Sequence, residues 1–188
     1  MKAVIFVKQS QRLPGKHLMT ICGEPMLSRI YRTLEHTGLF ETVVVYSKYP
    51  DLALDGCLIE RDPTTGTLID SILDSIVKFG EFLAVGGDLP LLNSEVVSEF
   101  VLEYDGRPLA AVNSEGTIEP LFAIYNRRIY GELLESSKHS KQIFTFVKER
   151  FHLIQINEER SRSLFNVNTL EDLEKARNIA DCSHTASR

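Results

Sequence analysis

Ala3-Val4-Ile5-Phe6-Val7 is an unbroken apolar run of β-branched and aromatic character. A strand with one wet face alternates apolar and polar residues. A continuous run marks a strand buried on both faces, as in a parallel sheet covered by helices on each side. The residues that follow agree. Lys8 to Lys16 (KQSQRLPGK) is polar and contains Pro14-Gly15, so it reads as a loop. A helix is expected from Glu24-Pro25, with proline in its first turn. Met26, Leu27, Ile30, Tyr31 and Leu34 then keep the helical period, and Gly38 ends it.

The unit repeats downstream. Thr42 to Tyr46 (TVVVY) and Leu58-Ile59 read as strands. Thr67 to Phe79 reads as a helix stopped by Gly80, and Glu81 to Val85 (EFLAV) as a strand running into the turn Gly86-Gly87-Asp88-Leu89-Pro90. Ser94 is expected to cap a helix to Tyr104, and Leu109 to Val112 forms a further strand. Strands alternating with helices of this length give βαβ units. The expected fold is α/β: a Rossmann-like three-layer αβα sandwich with a mostly parallel, mixed central sheet.

After Asn113 the pattern is less regular. Ile118 to Tyr125 reads as a strand that Pro120 could interrupt, Arg127 to Ser136 and Lys141 to Arg150 as helices, and Phe151 to Ile156 as a strand. Leu164 to Val167 is expected to be extended, with Asn168 or Thr169 capping a last helix through Ala180. One domain over residues 1–180 and a frayed tail over 181–188 are expected.

The chain has 188 residues, 43% of them hydrophobic and 25% charged, which is enough for a core without covalent staples. A net charge of −5 argues against non-specific nucleic-acid binding, which needs a basic surface, but not against a nucleotide ligand. No membrane association is expected, because no apolar run approaches a bilayer span and the N-terminal run is too short for a signal peptide. Cys22, Cys57 and Cys182 are distant and odd in number, so neither a disulfide framework nor a zinc site is expected. Cys22 and Cys57 read as small core or loop residues in a reducing, cytoplasmic compartment. A monomer or small homo-oligomer is expected.

In open α/β sheets, ligands bind beyond the carboxyl ends of the strands. The loop after the first strand brings Lys8, Arg12 and Lys16 beside Pro14-Gly15. It reads either as a triphosphate cradle or as a solvated basic loop. Asp88 follows a buried strand between glycine and proline. It is a hard oxygen ligand suited to Mg²⁺, against the plainer reading of a turn aspartate. Gly66-Thr67 reads first as a helix start capped by Thr65 or Thr67, and second as backbone N–H groups for a ligand. Asn166 and Asn168, alternate residues of an extended segment, should face one side and could serve a metal-bound phosphate or a base. His17, His36, His139, His152 and His184 show no metal-ligand spacing, and no nucleophile elbow or Cys–His pair is evident. Transfer at phosphorus needs no protein nucleophile, only positioning and charge neutralisation.

Taken in order, these segments resemble the molybdenum cofactor guanylyltransferases and neighbouring nucleotidyltransferases of glycosyltransferase-A-like fold. GGDLPLL at 86–92 is similar to that family's D-x-P metal motif, FNVNTLEDLEKA at 165–176 to its N-x-N-T segment, and EPLFAIYNRR at 119–128 to its PLFALY segment. Arg12, Gly15 and Lys16 match the R…G…K of its first loop, and GEPML at 23–27 the segment after it. Asp62 and Gly66 sit where the family has an aspartate and a glycine-rich helix start. The resemblance implies Mg²⁺ on Asp88, Lys16 and Arg12 on the triphosphate, and Asp62 on the nucleoside. It further implies Asn166 and Asn168 supporting metal or acceptor, with GTP and molybdopterin as substrates. The family's opening Leu-Ala-Gly-Gly, which contacts base and phosphates, is replaced by Phe6-Val7-Lys8-Gln9. RLPGKHL at 12–18 is closer to the loop of sugar-activating cytidylyltransferases. The base is therefore G or C. The acceptor is molybdopterin or another phosphorylated small molecule, and a nucleotide-binding protein without catalysis is the reading from another class.

Overall fold

The computed structural model describes residues 1–180 and 182. In chain order its strands are β1 (Lys2–Val7), β2 (Thr20–Ile21), β3 (Glu24–Pro25), β4 (Val43–Ser47), β5 (Ile59–Arg61), β6 (Phe82–Gly86), β7 (Leu109–Val112), β8 (Ile118–Tyr125) and β9 (His152–Gln155). Its helices are α1 (Met26–His36), α2 (Leu68–Phe79), α3 (Ser94–Leu102), α4 (Tyr130–His139), α5 (Ile143–Arg150), α6 (Glu158–Ser161) and α7 (Leu170–Ile179).

Seven strands form one sheet in the order β5-β4-β1-β6-β8-β7-β9. β1 pairs in parallel with β4 and β6, β4 with β5, and β7 with β9, while β8 runs antiparallel between β6 and β7. The antiparallel strand arises where one connection carries no helix. β7 returns to β8 through a short turn in which Asn113 donates its N–H to Thr117 at 2.9 Å, and short connections join only antiparallel neighbours.

The layers follow from the pleat of β1. Ala3, Ile5 and Val7 pack with Leu27, Ile30 and Leu34 of α1 and Val97 and Phe100 of α3. Val4 and Phe6 point the other way, onto Ile69, Ile72 and Ile76 of α2, with Leu133 of α4 and Val147 of α5 completing that side. All five residues from Ala3 to Val7 are buried, as an apolar run without alternation requires.

Several local expectations are corrected. α1 begins at Met26 with Pro25 outside the helix, because Glu24-Pro25 forms a small hairpin with Thr20-Ile21. Asn93, not Ser94, caps α3: its side chain accepts from the Glu95 N–H at 2.7 Å. Pro120 does not interrupt β8. It sits in the stretch where the register with β7 shifts between Ala110 and Ala111, so its missing N–H costs no ladder bond. Residues 165–168 lie outside the sheet, after a 3₁₀ turn at Arg162–Leu164. The absence of a disulfide is also overturned, since Cys22 and Cys182 are bonded, with Cα atoms 5.3 Å apart. α7 packs Leu173 and Ala176 against Ile21 and Met26, which brings the chain beyond α7 to the β2–β3 hairpin. The expected tail otherwise lies outside the described residues. Among those residues no helix is long and apolar enough to cross a membrane.

Candidate active site

The register of the sheet decides what meets at its carboxyl edge. β1 and β6 are parallel neighbours with Phe6 opposite Gly86, and β1 and β4 are neighbours with Val7 opposite Ser47. The loop from Lys8, the turn at Gly87-Asp88 and Lys48 therefore emerge side by side. They border a cleft of about 640 Å³ lined by Phe6, Val7, Lys8, Gln9, Arg12, Lys16, Asp62, Gly66, Asp88 and Asn168, among others.

The two glycines before Asp88 are required by close approach. Gly87 donates its N–H to the Phe6 carbonyl at 3.0 Å, and a Cβ there would lie 2.9 Å from Val7 Cγ2 and 3.1 Å from that carbonyl oxygen. A Cβ at Gly86 would lie 2.6 Å from Asp88 Oδ1. A side chain at either position would displace the Asp88 carboxylate or split β1 from the turn. Gly15 does not line the cleft. Its left-handed backbone, φ 71°, starts the 3₁₀ turn Lys16–Leu18 that carries Lys16 inward.

Lys16 is almost fully buried, at 4% exposure. Its Nζ donates to Asp88 Oδ2 at 3.1 Å, to the Val167 carbonyl at 2.7 Å and to Asn168 Oδ1 at 3.0 Å. Val167 in turn donates its N–H to the Asp88 carbonyl at 2.9 Å, locking the segment before α7 onto the β6 turn. Arg12 is exposed on the rim of the cleft. The Lys16, Asp88 and Asn168 side chains thus converge across more than 150 residues of sequence, with the exposed Arg12 beside them.

The chain belongs to the MobA-like NTP transferase domain family. That family's model matches residues 9–153, which takes in the first loop, the Asp88 turn and Glu119. A probable molybdenum cofactor guanylyltransferase of Pyrococcus horikoshii is 29% identical over 190 residues, covering 91% of this chain and 95% of the relative. A 3-deoxy-manno-octulosonate cytidylyltransferase of Halorhodospira halophila is 31% identical over 117 residues, covering 57% of this chain and 46% of the relative. The solved structure of molybdopterin-guanine dinucleotide biosynthesis protein A from Archaeoglobus fulgidus superposes with a TM-score of 0.76 over 95% of this chain and 98% of that one. At 22% identity it shows the shared fold. As a MobA-like NTP transferase the chain is a nucleotidyltransferase.

Some site residues of this MobA-like chain were not singled out by sequence. Lys48 follows β4 and donates to the Thr64 carbonyl and hydroxyl, both at 2.8 Å, with Asp62 Oδ2 at 3.5 Å. Asp62 is turned inward. Oδ1 accepts from the Thr64 N–H at 2.8 Å and hydroxyl at 2.7 Å, and Oδ2 accepts from Ser71 at 2.6 Å. Burial alone would raise its pKa, but those hydroxyls, the Thr64 amide and Lys48 hold the carboxyl below its usual range. His17, buried at 4% exposure, sets Nδ1 at 2.8 Å from the Gly87 carbonyl and Nε2 at 3.2 Å from that of Lys8, bridging loop and turn. At the start of α2, Thr67 and Asp70 form a capping box, which is the plainer of the two readings of that segment.

Asn166 and Asn168 are not brought to one side. Asn168 lines the cleft, whereas Asn166 lines an adjoining cavity of about 680 Å³ with Asn113, Arg162 and Phe165. Glu119 interacts with Asn166, Asn113 and Asp88. Burial, and then the negative charge of Asp88, push its carboxyl up to about 7 against hydrogen bonds from Asn166 and Asn113. The folded protein therefore keeps a proton that the unfolded chain releases at a lower pH, and stability falls as pH rises through that window. In metal-free buffer, Glu119→Gln should make the drop in Tm between pH 5 and pH 8 smaller by roughly 4–8 °C. Parallel melting curves for the two proteins would remove Glu119 as the cause.

Proposed function

We propose that this nucleotidyltransferase moves GMP from GTP to molybdopterin, in a Mg²⁺-dependent reaction that releases pyrophosphate. The observation that carries the reading is the convergence of Lys16, Asp88 and Asn168 on one cleft at the carboxyl edge of the sheet. The name and nearly full-length match of the Pyrococcus relative support the guanylyl and molybdopterin parts.

The donor set fits the metal. Among the described residues no three His, Cys, Asp or Glu side chains cluster into a metal cage. Mg²⁺ does not need one, because it is usually held by one or two carboxylates plus substrate phosphates and water. Asp88, with the Asn168 and Val167 oxygens that already surround a cation, would hold it. Its chemistry there is neutralisation of phosphate charge as the bond to pyrophosphate breaks.

The chain's own residues do the rest. Lys16 and Arg12 take the β- and γ-phosphate oxygens and stabilise the departing pyrophosphate. Phe6 to Gln9 and the Asp62–Gly66 bracket form the nucleoside side of the cleft. The acceptor phosphate comes from the adjoining cavity, past Asn166, and attacks the α-phosphorus in line. No covalent enzyme intermediate is formed.

A second reading, cytidylyl transfer to a sugar acid or sugar phosphate, is favoured by the RLPGKHL loop and by the Halorhodospira relative. A thermal-shift panel separates the two. With Mg²⁺ and a large excess of ligand, GTP should raise Tm by roughly 5–10 °C and CTP by much less. A reversed order moves the assignment to the second reading. No shift with any nucleotide, and no pyrophosphate from any triphosphate plus acceptor, would leave the cleft as a site without turnover.

A further inference from the structure

Lys16 has an arrangement that nucleotide binding alone does not explain. An ammonium meant to meet a triphosphate is nearly sealed from solvent and fully engaged with the protein. Its three partners are a carboxylate oxygen, a backbone carbonyl oxygen and an amide oxygen. Those are hard oxygen donors of the kind that hold a divalent cation. The backbones that carry them are held independently of Lys16, since Val167 donates its N–H to the Asp88 carbonyl at 2.9 Å and Asn168 its N–H to Asp172 Oδ2 at 3.1 Å.

We propose that Lys16 is a built-in cation: in the nucleotide-free protein its ammonium holds the divalent-metal position, and metal enters only with the triphosphate that draws Lys16 away. The inference rests on the reading of Asp88 as the metal ligand and adds an order of events to it. The oxygens that hold the ammonium cannot also hold a dication, because two cations would then sit within contact distance in a partly desolvated site. Charge stays balanced through the exchange. Before it, Asp88 is paired with Lys16. After it, Asp88 is paired with the metal, and Lys16 with the phosphates in the cleft it already lines.

The geometry permits the move. The backbone at Lys16 is pinned by the turn from Gly15, with the Lys16 N–H bonded to the Leu13 carbonyl at 3.2 Å, while its four-carbon stem is flexible. Arg12 and Lys8 on the same cleft hold the incoming phosphates as Lys16 is released. The device also keeps the carboxylate from collecting metal in the absence of substrate.

The test is Mn²⁺ binding, read by electron paramagnetic resonance of the free ion, with and without α,β-methylene analogues of GTP and CTP. Without nucleotide, Lys16→Met should bind one Mn²⁺ at least about tenfold more tightly than wild type. Adding Asp88→Asn to that variant should abolish the gained binding. Wild type should acquire its Mn²⁺ only when an analogue is present. Lys16→Gln gives the same reading should the methionine variant fail to fold. Equal nucleotide-free affinities in wild type and the Lys16 single variants, lost when Asp88→Asn is added, overturn the proposal and leave Asp88 as a metal ligand. Analogue-dependent binding in wild type, with no gain in either folded variant, also overturns it alone. Absence of Mn²⁺ from every protein, analogue present or not, overturns both the proposal and the metal assignment beneath it.

Discussion

Replacing Asp88 with asparagine should lower turnover by about a hundredfold or more, the size expected for losing a main electrostatic element of a phosphoryl-transfer site. Tm should fall by less than about 8 °C, since the asparagine oxygen still accepts from Lys16 although that ammonium loses its counter-charge. The two effects separate because the structural part of Asp88 is its backbone. Its N-terminal neighbour Gly87 makes the close approach to β1, and its carbonyl accepts from Val167. Asparagine keeps all of that. It removes the negative charge from a side chain that is 25% exposed at the mouth of the cleft. Lys16 keeps the Val167 and Asn168 oxygens, so the segment before α7 stays docked. Steady-state rates with saturating nucleotide and acceptor, alongside melting curves, decide the matter. Near-normal rates at normal stability would end the assignment of metal to this carboxylate. A large fall in Tm would instead make Asp88 a structural residue.

The parts of this arrangement that were legible in sequence share one cause. AVIFV and the FLAV of EFLAV are buried on both faces, so their apolar runs mark central strands, and the residues that line the cleft follow such strands. Lys8, Arg12, Lys16 and Asp88 are found that way. The same rule reaches Lys48, which follows TVVVYS directly, but a lone lysine has no glycine or proline beside it to mark a shaped turn. Glu119 is a different case. It approaches Asp88 only because β8 runs antiparallel beside β6 and the register shifts near Pro120, and neither event is written in local periodicity. Asn166 and Asn168 would share a side on a strand, yet they follow a 3₁₀ turn outside the sheet and face different cavities. Cys22 and Cys182 are 160 residues apart, and only the packing of α7 on the hairpin makes them neighbours. His17 is a solitary histidine whose ring bridges two backbone carbonyls, a role without a spacing rule.

Asp62→Ala should cost about 3–5 kcal/mol, the range for breaking a buried ion pair by removing one partner. For a chain of this size Tm would then fall by roughly 6–20 °C. The carboxylate is 5% exposed and accepts from the Thr64 amide, the Thr64 hydroxyl and the Ser71 hydroxyl, with Lys48 beside it. Truncation leaves Thr64 and Ser71 without their acceptor and Lys48 without its counter-charge, all at the junction of β5 and α2. The pH dependence follows from the depressed carboxyl. Its stabilising effect is complete above the ordinary aspartate range and is lost as pH falls through the lower folded value. The gap between wild type and variant should therefore be full at pH 7 and narrow below about pH 4. A pH-independent gap, or one under about 1 kcal/mol, would show that the bracket is not held by the ionised group. The consequence for function is indirect. With both oxygens committed inward, Asp62 shapes the wall that the Gly66 backbone and the Lys48 stem present to the cleft. Nucleotide affinity should then fall in step with stability across Asp62→Ala, Thr64→Ala and Ser71→Ala. An affinity loss confined to Asp62→Ala would instead mean direct contact with the nucleoside.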